Sequence, residues 1–166
     1  MDVITLQNGR RVVIRPIGAD DGPRLKKAYD QLSPQTKYRR FLAVKPQLSE
    51  GDVRYLISAD GSDHVALVAT PVERPGWIIA VARFVRLADD PSAAELAIVV
   101  GDPYQGQGLG TELLERLAED ATARGILRLK ATVLADNLPV HRLLRHGAAH
   151  ERHLGPIDEV EVELAA

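Results

Sequence analysis

The stretch Gly101-Asp102-Pro103-Tyr104-Gln105-Gly106-Gln107-Gly108-Leu109-Gly110-Thr111 concentrates glycine just before a segment of helical periodicity. Its backbone N–H groups, with few side chains to obstruct them, converge at the start of that helix. Free amides and the positive helix end both favour an anion, so the chemistry indicated is phosphate or pyrophosphate binding. Charge at a helix end contributes only about 0.3–1 kcal/mol, so placed hydrogen bonds must supply most of the affinity. Two phosphate motifs are excluded by spacing. A dinucleotide fingerprint starting at Gly106 or Gly108 meets Thr111 or Leu113 where a third small residue is required, and a P-loop starting at Gly101 meets Gln107 and Gly108 where Lys and Ser/Thr belong. The alternative is a tight strand-to-helix turn whose glycines only permit positive φ.

Glu95 is the second reactive group. In the run Ala94 to Val100, Leu96, Ile98 and Val100 share one face, leaving Glu95, Ala97 and Val99 on the other. A carboxylate flanked by apolar residues can be pushed up in pKa and become a better base near neutral pH; the alternative is a solvated strand-edge carboxylate. His141, His146, His150 and His153 give no clean pair on one helix, and the chain has no cysteine, so no metal site is expected. Tyr38-Arg39-Arg40-Phe41 is a basic-aromatic cluster that could line the entrance for a substrate or contact phosphates; the alternative is ordinary amphipathy, with Tyr38, Phe41 and Leu42 buried and both arginines solvated.

The elements that position these groups follow from periodicity and punctuation. Asn8-Gly9 between apolar runs predicts a hairpin. Asp20 or Asp21 can cap a helix carrying Leu25, Tyr29 and Leu32; Ser33-Pro34 opens a short helix; Ser49 with Asp52 reads as a capping box for a third. Extended runs follow at Val65–Ala69, Trp77–Val85 and Ala94–Val100. The helix after the glycine cluster buries Leu109, Leu113 and Leu117 and stops at Gly125. A strand alternating from Leu127 to Val133, a short helix from about Pro139 to Arg145 and a closing strand near Val160–Leu164 end the chain. No repeat or linker divides it, so residues 1–166 are expected to form one α/β (α+β) domain around a mixed sheet.

With 166 residues, 45% of them hydrophobic, the chain can bury a core without staples. The 21 basic and 23 acidic residues leave a net charge of −2, without the cationic excess a nucleic-acid binder needs. No apolar run approaches the roughly 20 residues that span a bilayer. The start Met1-Asp2-Val3 lacks a secretory leader pattern, and a cytoplasmic protein with no nucleic-acid or membrane partner is expected.

Gln105, Gly108 and Gly110, between a strand and a helix, resemble the cofactor pattern Gln/Arg-x-x-Gly-x-Gly/Ala of the GNAT acetyltransferase superfamily, and the element order is similar over nearly the whole chain. Leu32 to Phe41 and Ala94-Glu95-Leu96-Ala97 resemble its protein-lysine acetyltransferase branch. The resemblance implies a mostly antiparallel central sheet flanked by helices and acetyl-CoA as cosubstrate. It implies backbone pairing of Ile98, Val99 and Val100 with the pantetheine arm, and a pyrophosphate on the amides of Gln105, Gly106, Gln107, Gly108, Leu109, Gly110 and Thr111. Asn137 would reach the cofactor, act as a helix N-cap, or do both.

Acetyl transfer to an amine requires a neutral nucleophile. Deprotonating a lysine of pKa about 10.4 at pH 7 costs roughly 4.6 kcal/mol. Glu95, at the position of the proposed base of the protein-acetylating branch, is the candidate general base, and strand amides around Val99 would polarise the thioester oxygen. The tyrosine that many members carry seven residues after the helix-opening asparagine is Leu144 here. His141 or His146 could donate the proton instead, or the thiolate, of pKa near 8.5, could leave unassisted. No nucleophile suggests an acyl-enzyme. The expected activity is direct transfer to a protein lysine or a small amine, with a noncatalytic acyl-CoA-binding module as the rival. Family habit allows a homodimer, but no interface is visible in the sequence.

Overall fold

The computed structural model describes residues 2–42, 45–145 and 148–164. Strands β1 (Asp2–Thr5) and β2 (Arg11–Pro16) form the hairpin, with Gly9 at φ +89° in its turn. Helices α1 (Gly22–Asp30), α2 (Pro34–Phe41) and α3 (Glu50–Ile57) follow, then β3 (His64–Pro71), β4 (Ala80–Arg86) and β5 (Ala93–Val100). The chain closes with α4 (Leu109–Ala123), β6 (Arg128–Leu134), α5 (Leu138–Leu144), β7 (Ala148–Leu154) and β8 (Ile157–Glu163).

The eight strands lie in one sheet in the order β1-β2-β3-β4-β5-β6-β8-β7. Every neighbouring pair is antiparallel except β5 and β6. That parallel pair is short: Ala93, Ala94 and Glu95 meet Arg128, Leu129 and Lys130, and no ladder joins the strands beyond. Among the described residues, Leu96 to Val100 therefore keep one strand edge without a partner strand.

Alternation along the strands divides the core into two. On one face, Leu67, Ala82, Phe84 and Leu96 pack against Leu109, Leu113 and Leu117 of α4. On the other, Val68, Val81 and Val99 pack against Leu25, Tyr29 and Leu56 of α1 and α3. Glu95 and Ala97 share the parity of Val99, so Glu95 belongs to the side of α1–α3.

Ser49 and Asp52 make both hydrogen bonds of the expected capping box. Three local expectations are corrected. Asp21 precedes α1, but its carboxylate turns back to Arg15, Arg24 and the Gly18 amide rather than capping the helix. Trp77 to Ile79 do not join β4: Ile78 and Ile79 are buried because they pack, and apolar character alone does not distinguish that from a strand. Strand β7, absent from the expected order, is a polar edge strand held by its ladder to β8.

Candidate active site

The glycine stretch folds as a turn of 3-10 helix (Asp102–Tyr104) followed by a loop into α4. Gly106 has φ +74° and Gly108 φ +90°, conformations that cost a residue with a Cβ roughly 1–2 kcal/mol. They turn the loop so that successive amides precede the helix. Among the described residues, none accepts a backbone hydrogen bond from the N–H of Gly106 through Thr111; the ladder begins with Glu112 bonding to the Gly108 carbonyl. A Cβ built on Gly106 meets nothing within 4 Å, whereas one on Gly108 would touch Gln7 and one on Gly110 would touch Leu143, so the loop is open at Gly106 and packed behind it. Unclaimed amides at the start of a fifteen-residue helix are the donor set a pyrophosphate requires, and the residues present fit one.

The loop is braced from two sides. Asp102 accepts from the Ser33 amide (3.0 Å), the Ser33 hydroxyl (2.9 Å) and the Thr36 hydroxyl (2.7 Å), tying the first turn of α2 to the end of β5. Burial pushes the Asp102 carboxyl up, but these hydrogen bonds outweigh it and hold the group below its ordinary range. From the hairpin, the Gln7 amide donates to the Gln107 carbonyl at 3.2 Å. The Gln105 side chain donates to the Val100 carbonyl at 2.9 Å, securing the strand end.

The loop, the unpaired edge of β5 and α5 enclose a cleft of about 760 Å³, within the roughly 300–1,000 Å³ usual for small-molecule sites. Glu95, Ile98, Val99, Val100, Gln105, Gly106, Gly108, Gly110, Thr111 and Asn137 all line it. Gln107 and Leu109 do not: the Gln107 side chain donates to the Pro103 carbonyl, and Leu109 anchors α4 in the core at 1% exposure. Asn137 caps α5, its Oδ1 accepting from the Val140 amide at 3.5 Å, while it also borders the cleft.

Glu95 stands between buried Ala94 and Leu96, opposite Lys130, with its own side chain exposed, so its apolar neighbours do not bury it. Arg40 lies near enough to feel its charge. Burial lowers the Arg40 pKa, and the negative charge of Glu95 works against that lowering. Arg39 and Arg40 are half-buried and line the cleft, whereas Tyr38 is 41% exposed. The amphipathic alternative, with both arginines solvated, is thus corrected.

The proton-donor candidates fare differently. Leu144, at the tyrosine position, is 1% exposed in the core. His141 does not line the cleft. Its Nδ1 is 3.2 Å from Glu151, and its Nε2 lies 3.1 Å from Asp158 but off the line of a hydrogen bond, so it fastens α5 to β7 and β8. His146 falls outside the described residues. His153 pairs with Asp158 at 2.8 Å, and that hydrogen bond raises its pKa. No group of three or more His, Asp or Glu able to hold a metal occurs among the described residues. Tyr104 lines the cleft with the Arg10 guanidinium 5.0 Å from its ring centre, a placement the sequence reading did not single out. The Asp102 clamp and the proximity of Arg40 to Glu95 were also missed; Ser33 is 69 residues from Asp102, and no local spacing signals that pairing.

A mixed sheet that parts between two parallel strands, beside an amide-rich turn opening a helix, frames the cleft. The acetyltransferase (GNAT) family pattern matches residues 27–148. The chain belongs to the acetyltransferase (GNAT) family. It is 35% identical over 162 residues to the acetyltransferase Pat of Mycolicibacterium smegmatis, covering 96% of this chain and 48% of that protein. The chain thus spans about half the length of that curated relative. The structure superimposes on the GNAT domain of S. lividans PAT with a TM-score of 0.90 and 33% identity, covering 98% of this chain and 96% of the other. It also shares its fold with yncA of Salmonella typhimurium, solved with its cofactor acetyl-CoA, at a TM-score of 0.70 and 17% identity over 92% of each chain.

Proposed function

We propose that this chain transfers an acetyl group from acetyl-CoA to a primary amine, a protein lysine, by direct attack within a ternary complex. The observation that carries this reading is the meeting, in one cleft, of the unclaimed amides of Gly106, Gly108, Gly110 and Thr111, the partnerless edge of β5 and the exposed carboxylate of Glu95. Acetyl-CoA supplies an activated thioester. The amides of Gly106, Gly108, Gly110 and Thr111 hold its pyrophosphate, whereas the expected Gln105 amide is taken by the Asp102 carbonyl. The strand edge at Ile98 and Val100 pairs with its pantetheine arm, with Val99 between them bonded to β4, and the Asn137 side chain steadies it from α5. The Val99 amide faces β4 in the ladder, so an outward amide beside it, that of Ile98 or Val100, polarises the thioester oxygen. Glu95, directly or through one water, takes the proton that makes the acceptor amine nucleophilic. No cysteine is available for an acyl-enzyme, and a thiol pKa near 8.5 lets the thiolate leave without a tyrosine at 144.

The test is Glu95→Gln assayed by thiol release with a lysine peptide from pH 6 to 9. General-base catalysis contributes about 10²–10⁴-fold, so a loss of at least about 100-fold is expected at pH 7. The gap narrows toward pH 9, as the acceptor deprotonates unaided. An unchanged rate across the range overturns the assignment of Glu95. Leu144 at the tyrosine position favours one rival, a noncatalytic acyl-CoA-binding module, which predicts acetyl-CoA binding without thiol release for any acceptor.

A further inference from the structure

A smaller cavity, of about 60 Å³, lies between α1–α3 and strands β4 and β5. It shares Arg40, Phe41, Ala97 and Val99 with the large cleft, so it adjoins the place where Glu95 opens. Its walls are apolar apart from the Tyr29 hydroxyl, which already donates to the Lys45 carbonyl, and two guanidinium groups, those of Arg40 and Arg83. Arg83 is 4% exposed. It donates to the Leu56 carbonyl at the end of α3 and faces His64 Nε2, each at 2.9 Å. Burial first, and Arg83 second, depress the His64 pKa, so His64 is a neutral acceptor.

Among the described residues, neither Arg40 nor Arg83 has a carboxylate within salt-bridge distance. The carboxyl end of α3 compensates Arg83 only in part. Burial and then the Arg40 charge push Arg83 down to about 10. A buried Arg83 and a half-buried Arg40, opposed only by the charge of exposed Glu95, carry a desolvation cost that an arriving anion relieves. A water needs about 10–15 Å³ of such space, so the cavity has room for a small polar group the size of a carboxylate.

We propose that this cavity receives a carboxylate carried by the acceptor beside its amine, so that Arg40 and Arg83 select acceptors with a neighbouring negative charge. The inference rests on the proposed acetyltransferase reading, which puts the acceptor amine at Glu95. The carboxylate has two sources: an Asp or Glu next to a lysine in a peptide, or the α-carboxylate of a free amino acid. A polyamine, whose second charge is positive, is disfavoured.

The experiment measures kcat/KM by thiol release for two pairs of acceptors: lysine peptides with Glu or Gln beside the lysine, and free lysine or lysine amide. The expected result is an acid-over-neutral preference of about tenfold in at least one pair, equivalent to about 1.4 kcal/mol, with spermidine poorer than either preferred acceptor. The pair that discriminates identifies the source. In Arg40→Gln the preference falls below about twofold; a merely structural loss lowers both members of a pair and leaves their ratio. Arg83→Lys, which keeps the charge, retains a preference. Equal kcat/KM within both pairs overturns the inference. Calorimetric titration of the same acceptors with CoA present separates the two readings. A carboxylate preference without thiol release upholds the pocket and overturns catalysis, whereas equal affinities, or no binding by any acceptor, overturn the pocket.

Discussion

Gly108 carries the sharpest consequence of the loop geometry. At φ +90° and ψ −1° it is left-handed, and a Cβ there meets only the far end of the Gln7 side chain, at 3.5 Å. Gly108→Ala therefore costs conformational strain, about 1–2 kcal/mol, and no steric clash. That strain is divided between two quantities. If the free loop keeps its shape, folding stability bears it; if the free loop relaxes, acetyl-CoA must restore the shape and binding bears it, up to about 5–30-fold in Kd. In either case the melting temperature in saturating acetyl-CoA falls by about 2–8 °C for a chain of this size. Gly155→Ala supplies the control, since Gly155 has φ +84° with nothing within 4 Å, in the β7–β8 turn. It loses similar stability and no affinity. Gly108→Glu adds a negative charge where the pyrophosphate is proposed to sit. At a separation of about 5 Å and an effective dielectric of about 20, repulsion is about 3 kcal/mol, or over 100-fold in Kd beyond the alanine variant. The assay is calorimetric binding of acetyl-CoA beside thermal unfolding of the free and bound protein. Affinity of Gly108→Glu within about threefold of Gly108→Ala refutes the loop as the pyrophosphate site.

Other consequences concern the frame. Asp102→Ala strands the Ser33 amide and the buried Thr36 hydroxyl; a hydrogen bond to a charged group is worth about 1.5–3 kcal/mol, so urea unfolding should show a loss of about 2–3 kcal/mol, and wild-type stability overturns the clamp. Asp21 is 1% exposed, and the hydrogen bond from Arg15 holds its carboxyl well below the usual range against the opposing effect of burial. Because the folded pKa is depressed, its contribution is complete above the unfolded pKa of about 3.9 and is lost as pH falls through the folded value. Asp21→Asn should thus cost about 3 kcal/mol at pH 7, with the gap to wild type closing as the pH drops below about 4; a gap independent of pH contradicts the assignment.

What the sequence disclosed were features whose cause is local. The Ser49–Asp52 capping box, the Asn8-Gly9 hairpin, the apolar stripe of α4 and the glycine turn are each written in a few neighbouring residues, and each is found. Strand β7 was illegible because its sequence, Ala-Ala-His-Glu-Arg-His-Leu, carries almost no apolar alternation; its ladder to β8 holds it. Site residues followed the same division. Backbone chemistry in the loop could be read from glycine spacing, and Asn137 from its position before Pro139. The Asp102 clamp, the burial of Arg83 and the proximity of Arg40 to Glu95 join residues 27 to 69 positions apart, visible only after α2 and α3 dock on the sheet.

Direct transfer is tested most simply by mixing the protein with acetyl-CoA, first alone and then with a lysine peptide, while thiol release and peptide acetylation are followed together. The account predicts no burst of thiol without acceptor and, with acceptor, one acetylated lysine for each thiol released. A stoichiometric burst in the absence of acceptor contradicts it, and so does acetyl-CoA binding with no thiol release for any amine.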